Sequence, residues 1–246
     1  MIIIPDVHGR PFWIQAARDL GGKEHFVFLG DYLDPYGYEG ITPEMAFDIF
    51  QEVLDFKEAW PDKVTLLLGN HDLHYLDSRL EGGRYDSVRG MFIRELILDH
   101  ADWFRMAFET EAGGKKFLLT HAGVLRGWCL YNRDVLGTEA PDEIAPRLNE
   151  MWADETLRRS LLGILAQIPY SRWGRHRYGS PVWNDVEDMN DNYEELPGVY
   201  QIFGHSQQEF RPVICDHFAC LDVRAPFRLI GEGEIVKLEE TDEKTA

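Results

Sequence analysis

The sequence has few cysteines, few cations and no long apolar run, and each shortage excludes something. Its three cysteines, Cys129, Cys215 and Cys220, are odd in number and contain no CxxC pair. That argues against a disulfide framework and points to buried thiols in a reducing cytosol. Lysine and arginine total 25 against 43 aspartates and glutamates, a formal net charge of −18 over 246 residues. A protein that tracks a long nucleic acid through its phosphates needs clustered cations. Docking on an anionic membrane surface needs them too, so neither partner fits. No stretch approaches the roughly 18 apolar residues of a membrane span. The apolar start Met1-Ile2-Ile3-Ile4-Pro5 is too short for a signal-peptide core and has no basic residue before it, so no leader is expected. Low-complexity segments and internal repeats are missing as well. What remains is an ordinary globular composition, 44% apolar and 28% charged. One domain of this length can form a core that needs no covalent staple. A phosphate-bearing substrate would meet an unfavourable long-range field unless local cations reverse it.

One architecture recurs five times: a short apolar run, then at once a polar block. Ile2-Ile3-Ile4-Pro5 leads into Asp6-Val7-His8-Gly9, and His25-Phe26-Val27-Phe28-Leu29 into Gly30-Asp31-Tyr32-Leu33-Asp34. Val64-Thr65-Leu66-Leu67-Leu68 leads into Gly69-Asn70-His71-Asp72, and Phe117-Leu118-Leu119-Thr120 into His121-Ala122-Gly123. Val199-Tyr200-Gln201-Ile202-Phe203 leads into Gly204-His205-Ser206. Such runs, rich in β-branched and aromatic residues, read as buried strands. Helical patterns lie between several of them, over residues 11–20, 42–60 with Thr42 as N-cap, and 87–103. Alternating strand and helix predicts an α/β fold, in which ligands gather beyond the carboxyl ends of the strands. Every polar block sits at one. Residues 211–214, 218–223, 227–230 and 234–238 read as four further strands, expected to form a second, more antiparallel sheet. The polar residues 239–246 read as a frayed terminus.

The blocks present carboxylates, imidazoles and one amide: Asp6, His8, Asp31, Asn70, His121 and His205, with Asp34 and His71 beside them. Mixed oxygen and nitrogen donors suit Mn2+, Fe, Zn2+ or Co2+ rather than a soft-metal or all-oxygen calcium site. Six donors exceed one tetrahedral ion and fit two ions sharing a carboxylate, a centre that holds a hydroxide nucleophile and neutralises phosphoryl oxygens. Taken singly, each block could be an Asp/Gly turn. Gly69-Asn70-His71-Asp72 alone has a chance frequency of about one in 10⁵ per position, and the ordered set removes coincidence.

The five blocks resemble the calcineurin-like metallophosphoesterases, most of all their protein-phosphatase and diadenosine-tetraphosphatase branch. The resemblance spans Asp6 to His205. It implies a four-layer α/β/β/α sandwich and two divalent ions, Mn2+ first, with Fe, Zn2+, Co2+ or Ni2+ as alternatives. It implies that Asp6 and His8 hold the first ion, that Asp31 bridges, and that Asn70, His121 and His205 hold the second. His71 becomes the general acid for the leaving oxygen and Asp34 its orienting partner, a pairing that fixes a tautomer and raises the imidazole's basicity.

Two departures stand out. Gln207 occupies the place of a second ligating histidine in many relatives, which matches the protein-phosphatase branch and argues against nuclease and cyclic-nucleotide branches. Pro35 stands where protein phosphatases carry a phosphate-gripping arginine. The expected replacement is the run Arg172, Arg175 and Arg177, with Arg10 a weaker candidate, against the alternative of a solvated basic loop. The run lies in a single-domain chain's long connection, residues 126–197, whose helical part around 142–168 would form a partial cap. Trp152, Trp173 and Trp183 are candidate site-lining or packing residues, and Trp183-Asn184-Asp185 resembles a W-x-D element of protein phosphatases. The expected activity is hydrolysis of phosphomonoesters, on a phosphoprotein or a small phosphorylated metabolite. Dinucleoside polyphosphate hydrolysis is the alternative, and an inactive scaffold of the same fold is the reading from another class.

Overall fold

The computed structural model describes residues 1–80, 82–190 and 195–238. Four short strands, β1 (Ile2–Ile4), β2 (Phe26–Phe28), β3 (Val64–Leu67) and β4 (Phe104–Arg105), run parallel and adjacent. The second sheet holds β5 (Phe108–Ala112), β6 (Lys115–Leu119), β7 (Tyr200–Phe203), β8 (Val213–Ile214) and β9 (Phe218–Cys220), in the order β5-β6-β7-β9-β8. Two last strands, β10 (Phe227–Leu229) and β11 (Ile235–Lys237), return to the first sheet, which is ordered β11-β10-β1-β2-β3-β4.

Side-chain alternation explains why these strands form two buried sheets. Ile3, Val27, Leu29 and Leu67 of the first sheet pack with Phe117, Leu119, Ile202, Ala219 and Leu221 of the second, forming the layer between the sheets. Their neighbours Ile2, Ile4, Phe26, Phe28, Val64 and Leu66 point the other way, as do Leu118, Phe203, Phe218 and Cys220. Those outward faces join a second cluster with the helices. Period 2 with both faces apolar is the signature of a sheet covered on both sides. The α/β/β/α sandwich is therefore present.

Seven α-helices occur among the described residues. Helix α1 (Ile14–Leu20) starts after a turn at Pro11. Helix α2 (Pro43–Ala59) has the expected cap, with Met45 N–H donating to Thr42 Oγ1 at 3.1 Å, and buries Phe47, Phe50, Val53 and Leu54. A single turn, α3 (Asn70–Leu73), opens the third block. Helix α4 (Gly90–Asp99) is shorter than the 87–103 pattern because Asp86 accepts from the N–H groups of Val88 and Arg89 and sets its start. Helix α5 (Arg126–Leu136) was not anticipated, although Gly137 ends it at φ 75°, the left-handed C-cap that glycine favours. The 142–168 pattern divides into α6 (Pro141–Ala153) and α7 (Glu155–Leu165), because Asp154 leaves the helical conformation and accepts from Thr156 and Leu157 N–H groups. Both helices bury core side chains, including Leu148, Trp152, Leu161 and Leu165. No helix among the described residues is long and apolar enough to cross a membrane.

The four C-terminal strands do not form a sheet of their own. β8 and β9 join β7, whereas β10 pairs antiparallel with β1, Ile2 opposite Arg228. An exposed edge at β1 would leave a row of unpaired backbone groups beside the first polar block, and β10 covers it. The expected frayed segment, 239–246, lies outside the described residues. Cys129 and Cys220 are buried free thiols and Cys215 is half-buried. Burial pushes the Cys129 thiol up to about 12, so it behaves as a small hydrophobe.

The two sheets are joined at Met106-Ala107, between β4 and β5, and one side chain from α6 grips that link. Asn149 Oδ1 accepts from Met106 N–H at 2.8 Å and Ala107 N–H at 3.2 Å, while Nδ2 donates to Ala107 O at 2.9 Å. Replacing Asn149 by Ala orphans two donors and an acceptor. Stability is expected to fall by about 2–4 kcal/mol, read as a lower midpoint with an unchanged slope in urea unfolding.

Candidate active site

Register sets the site. Ile4, Phe28 and Leu66 lie level across β1, β2 and β3, as do Leu119, Ile202 and Ala219 across β6, β7 and β9. All five polar blocks therefore emerge at one end of the sandwich, from the carboxyl ends of parallel strands.

Backbone conformation then turns the side chains inward. His8, Asp31, Asp34 and His205 adopt φ of 45°, 52°, 58° and 63°, the left-handed region that non-glycine residues avoid. Each costs on the order of 1–3 kcal/mol and persists because neighbouring structure enforces it. Two glycines give the room. A Cβ on Gly69 would collide with Asp31 Oδ1, and one on Gly204 with Asp6 Oδ1. Bare backbone at Gly204 lets Asp6 accept from the next N–H, that of His205, at 2.9 and 3.0 Å.

Asp31 stands at the centre. Its Oδ1 accepts from His71 N–H at 2.9 Å, and its Oδ2 lies 3.5 Å from both His8 Nε2 and His121 Nε2. His8 Nδ1 donates to Leu33 O at 2.7 Å and His121 Nδ1 to Leu29 O at 2.8 Å. A carbonyl only accepts, so both rings donate from Nδ1 and turn Nε2 toward Asp31. Asn70 Oδ1 is 3.1 Å from His121 Nε2, and His205 Nδ1 is also 3.1 Å from it. His205 Nε2 is buried without a hydrogen-bond partner among the described residues. Two donor sets result, Asp6-His8-Asp31 and Asp31-His121-His205, each with its ligand atoms within 4.8 Å and sharing Asp31. Acceptors converging on acceptors in a buried place repel one another unless a cation lies among them. The donor set therefore fits divalent metal.

Electrostatics agree. Burial, then the Asp6 carboxylate, pushes Asp31 well above the ordinary carboxylate range, and burial also holds His8 and His205 well below the ordinary imidazole value. Neutral imidazoles are the form that ligates.

Beside this cluster, His71 Nδ1 meets Asp34 Oδ2 at 2.8 Å. Asp34 also receives His74 Nε2 at 2.6 Å and the Tyr75 hydroxyl. Burial raises the Asp34 pKa, but bonds from His71 and His74 outweigh it and hold the carboxyl below its usual value. Burial pulls His71 down to about 4, with Asp34 opposing and Arg84 adding to the depression.

The four candidate arginines occupy different environments. Arg10 forms a bidentate pair with Glu39 at 2.8 and 3.1 Å and approaches the Asp6 carbonyl at 3.4 Å, so it is committed to the fold. Residues 171–178 alternate between exposed and half-buried. That alternation turns Arg172 inward and Arg175 and Arg177 outward. Arg172 pairs with Asp185 at 2.8 Å, donates to Ser206 Oγ at 2.8 Å and depresses the His205 pKa. Arg177 lies over the Tyr178 ring, 5.2 Å from its centroid. Trp183 packs edge-on to His205, Trp152 is buried and donates to Ala101 O, and Trp173 is 97% exposed. Gln207 turns its amide oxygen to Arg224 Nε at 2.9 Å.

Several residues escaped the sequence reading. Asp72 stood in the third block without a role; its carboxylate accepts from Asp31, Tyr32 and Gly69 N–H groups at 2.8, 3.0 and 2.8 Å. His74 and Tyr75 follow His71 by one helical turn. Asp222, two residues past β9, is buried with one oxygen unpartnered among the described residues, and burial together with Asp6 raises its pKa. Arg84 follows two glycines in a segment with no periodic pattern.

Asp72 locks the second block to the third. Asp72→Ala strands three buried donors and is expected to destabilise the protein by about 3–5 kcal/mol. Asp72→Asn, which retains an acceptor oxygen, should lose less. Guanidinium unfolding of both variants checks the order, and a smaller loss for Ala than for Asn would reject the lock.

A family model described as calcineurin-like phosphoesterase matches residues 1–209. The catalytic subunit of serine/threonine-protein phosphatase 6 from Drosophila melanogaster is 22% identical over 204 residues, 82% of this chain and 55% of the relative. A symmetrical bis(5'-nucleosyl)-tetraphosphatase from Paracidovorax citrulli is 28% identical over 131 residues, 51% of this chain and 44% of that protein. The chain thus spans about half the length of these two relatives. A solved protein serine/threonine phosphatase from Saccharomyces cerevisiae, described as similar to human phosphatase PP5, shares the fold at a TM-score of 0.53 and 13% identity, covering 98% of this chain and 81% of that one. The two sheets, the ordered blocks and the match over most of its length make this chain a member of the calcineurin-like phosphoesterase family.

Proposed function

We propose that the protein is a two-metal phosphohydrolase acting on phosphomonoesters, either a phosphorylated protein or a small phosphorylated metabolite. The observation that carries this reading is the Asp31 oxygen 3.5 Å from the Nε2 atoms of two imidazoles, His8 and His121. Asp6, His8 and Asp31 would hold one divalent ion, Mn2+ first among the candidates, and Asp31, Asn70, His121 and His205 the other. Such a pair supplies Lewis acidity toward phosphoryl oxygens and a nucleophile from water at neutral pH.

The chain's own residues do the rest. Leu33 and Leu29 carbonyls fix the tautomers of His8 and His121. Asp34 orients His71 through Nδ1, leaving Nε2 as the atom that would hand a proton to the departing oxygen. Arg172, beside His205, would add positive charge at the second donor set. The acidic surface disfavours a long polyanion, and three free cysteines accord with a reducing cytosol.

Dinucleoside polyphosphate hydrolysis is the second reading. A tetraphosphatase from Glaesserella parasuis serovar 5 is 28% identical over 193 residues, 67% of its length. The same donor sets would serve either ester.

Mn2+-loaded protein is expected to hydrolyse p-nitrophenyl phosphate, and chelation to abolish it. Asp31→Asn and His71→Ala should each lower kcat/KM by about 10²–10⁴-fold. Equal rates for wild type and Asp31→Asn would sink the two-metal reading. Parallel assays on a phosphopeptide, the bis ester and diadenosine tetraphosphate rank the substrates. No metal-dependent turnover on any ester would leave the inactive scaffold. In the same assays Arg172→Ala should reduce kcat/KM about tenfold, with Arg175→Ala and Arg177→Ala within twofold of wild type; a uniform response of the three would reject the assignment of Arg172 alone.

A further inference from the structure

Arg84 reaches the site from outside every block. Its backbone is left-handed, φ 71°, like those of the strained residues His8, Asp31, Asp34 and His205. The guanidinium lies 3.7 Å from the centroid of Tyr36, whose ring in turn packs edge-on to His8. Nη1 donates to Asp34 O at 2.5 Å, and Nη2 is 3.0 Å from His71 Nε2. Its segment is fastened from behind: Tyr75, whose hydroxyl donates to Asp34, accepts from Asp86 N–H at 3.1 Å and stacks on Tyr85.

Donor chemistry sharpens this contact. A guanidinium has no acceptor, so His71 Nε2 must be the acceptor, with its single lone pair engaged. That nitrogen cannot serve a leaving oxygen while it holds Arg84. The partner is also a poor one for a guanidinium, whose fork matches two oxygens of a phosphate or carboxylate far better than one neutral nitrogen. The half-buried cation therefore has an unspent capacity for an oxyanion at the place where the phosphoryl group would lie.

Resting on the phosphohydrolase reading above, we propose that Arg84 binds the substrate's phosphoryl group, and that its guanidinium covers His71 Nε2 until a phosphate draws it away. Binding of the ester and release of His71 are then a single movement. Arg84 supplies from the third block's far side the grip that Pro35 cannot provide. Tyr36 holds the guanidinium by its ring face in both positions, a contact that does not depend on which oxygen or nitrogen the fork engages. The ligand class is the terminal phosphate of a monoester, or inorganic phosphate as product.

The test uses the full chain loaded with diamagnetic Zn2+ and inorganic phosphate as the probe. Calorimetry should show phosphate affinity weakened about 10- to 100-fold in Arg84→Ala, the range of lost charge-assisted bonds. Arg84→Lys should recover part of it, because it keeps the charge without the fork. KM for p-nitrophenyl phosphate rises in parallel. In 15N spectra, phosphate should shift the His71 Nε2 resonance of the wild type and leave that of Arg84→Ala near its phosphate-free position. Should Arg84→Ala fail to fold, Arg84→Met keeps the apolar stem over Tyr36 and carries the same expectation. Phosphate affinity within twofold of wild type, or a wild-type His71 resonance unmoved by bound phosphate, overturns the proposal. Failure of the wild type to bind Zn2+ or hydrolyse any ester overturns the two-metal reading instead.

Discussion

One carboxylate connects the parts of this site. Asp31 uses one oxygen to hold the backbone of His71 and offers the other to His8 and His121, which come from different sheets. The distance between the two imidazoles is therefore a distance between sheets. The apolar layer of Ile3, Leu29, Leu119 and Ile202 sets it. Packing of this kind is nearly incompressible, so the spacing of the donor atoms is a property of the core. The left-handed backbones of His8, Asp31, Asp34 and His205 follow from the same constraint, since the chain must turn sharply at each strand end to aim a side chain at one point.

The acidity of the chain takes on a different meaning beside this geometry. A formal charge of −18 is hostile to phosphate at long range. The acids nearest the cluster, Asp6, Asp31, Asp34, Asp72 and Asp222, are all buried. Asp34 is compensated by His71 and His74, and Asp72 by three backbone N–H groups. Arg84 and Arg172 stand on different sides of the donor sets, one on His71 and one near His205. The local field is thus decoupled from the net charge.

Much of this was legible in the sequence, for a physical reason. A strand end that turns at once leaves its mark in adjacent residues, so Asp6, His8, Asp31, Asn70, His121 and His205 could be collected in one dimension, and Asp34 paired with His71. Features that depend on tertiary path left no such mark. Period-2 alternation says that residues 211–238 form strands but not which sheet accepts them, and they divided between both. Arg84 arrives by a glycine-rich detour with no period to read. The arginines at 172–177 read alike in the sequence, whereas the path of the chain turns Arg172 toward Asp185 and Ser206 and leaves Arg175 and Arg177 on the outside. Helix α5 carries a local stop signal in Gly137 but no matching start signal, since Leu125 offers no side-chain cap.

Sheet order also has a bearing on how the molecule is made. The strand carrying Asp6 and His8 has β10 as its outer neighbour, with Ile3 opposite Phe227. At a synthesis rate of about 5–20 residues per second, that neighbour emerges roughly 11–45 s after β1. Until then β1 keeps an open edge, and the loop that follows it waits on a pairing at the other end of the chain. The interval is also a window of aggregation risk, because an unpaired apolar strand such as Ile2–Ile4 is a template for foreign strands. Its brevity, three residues, limits how much any intruder could pair with before the native partner arrives.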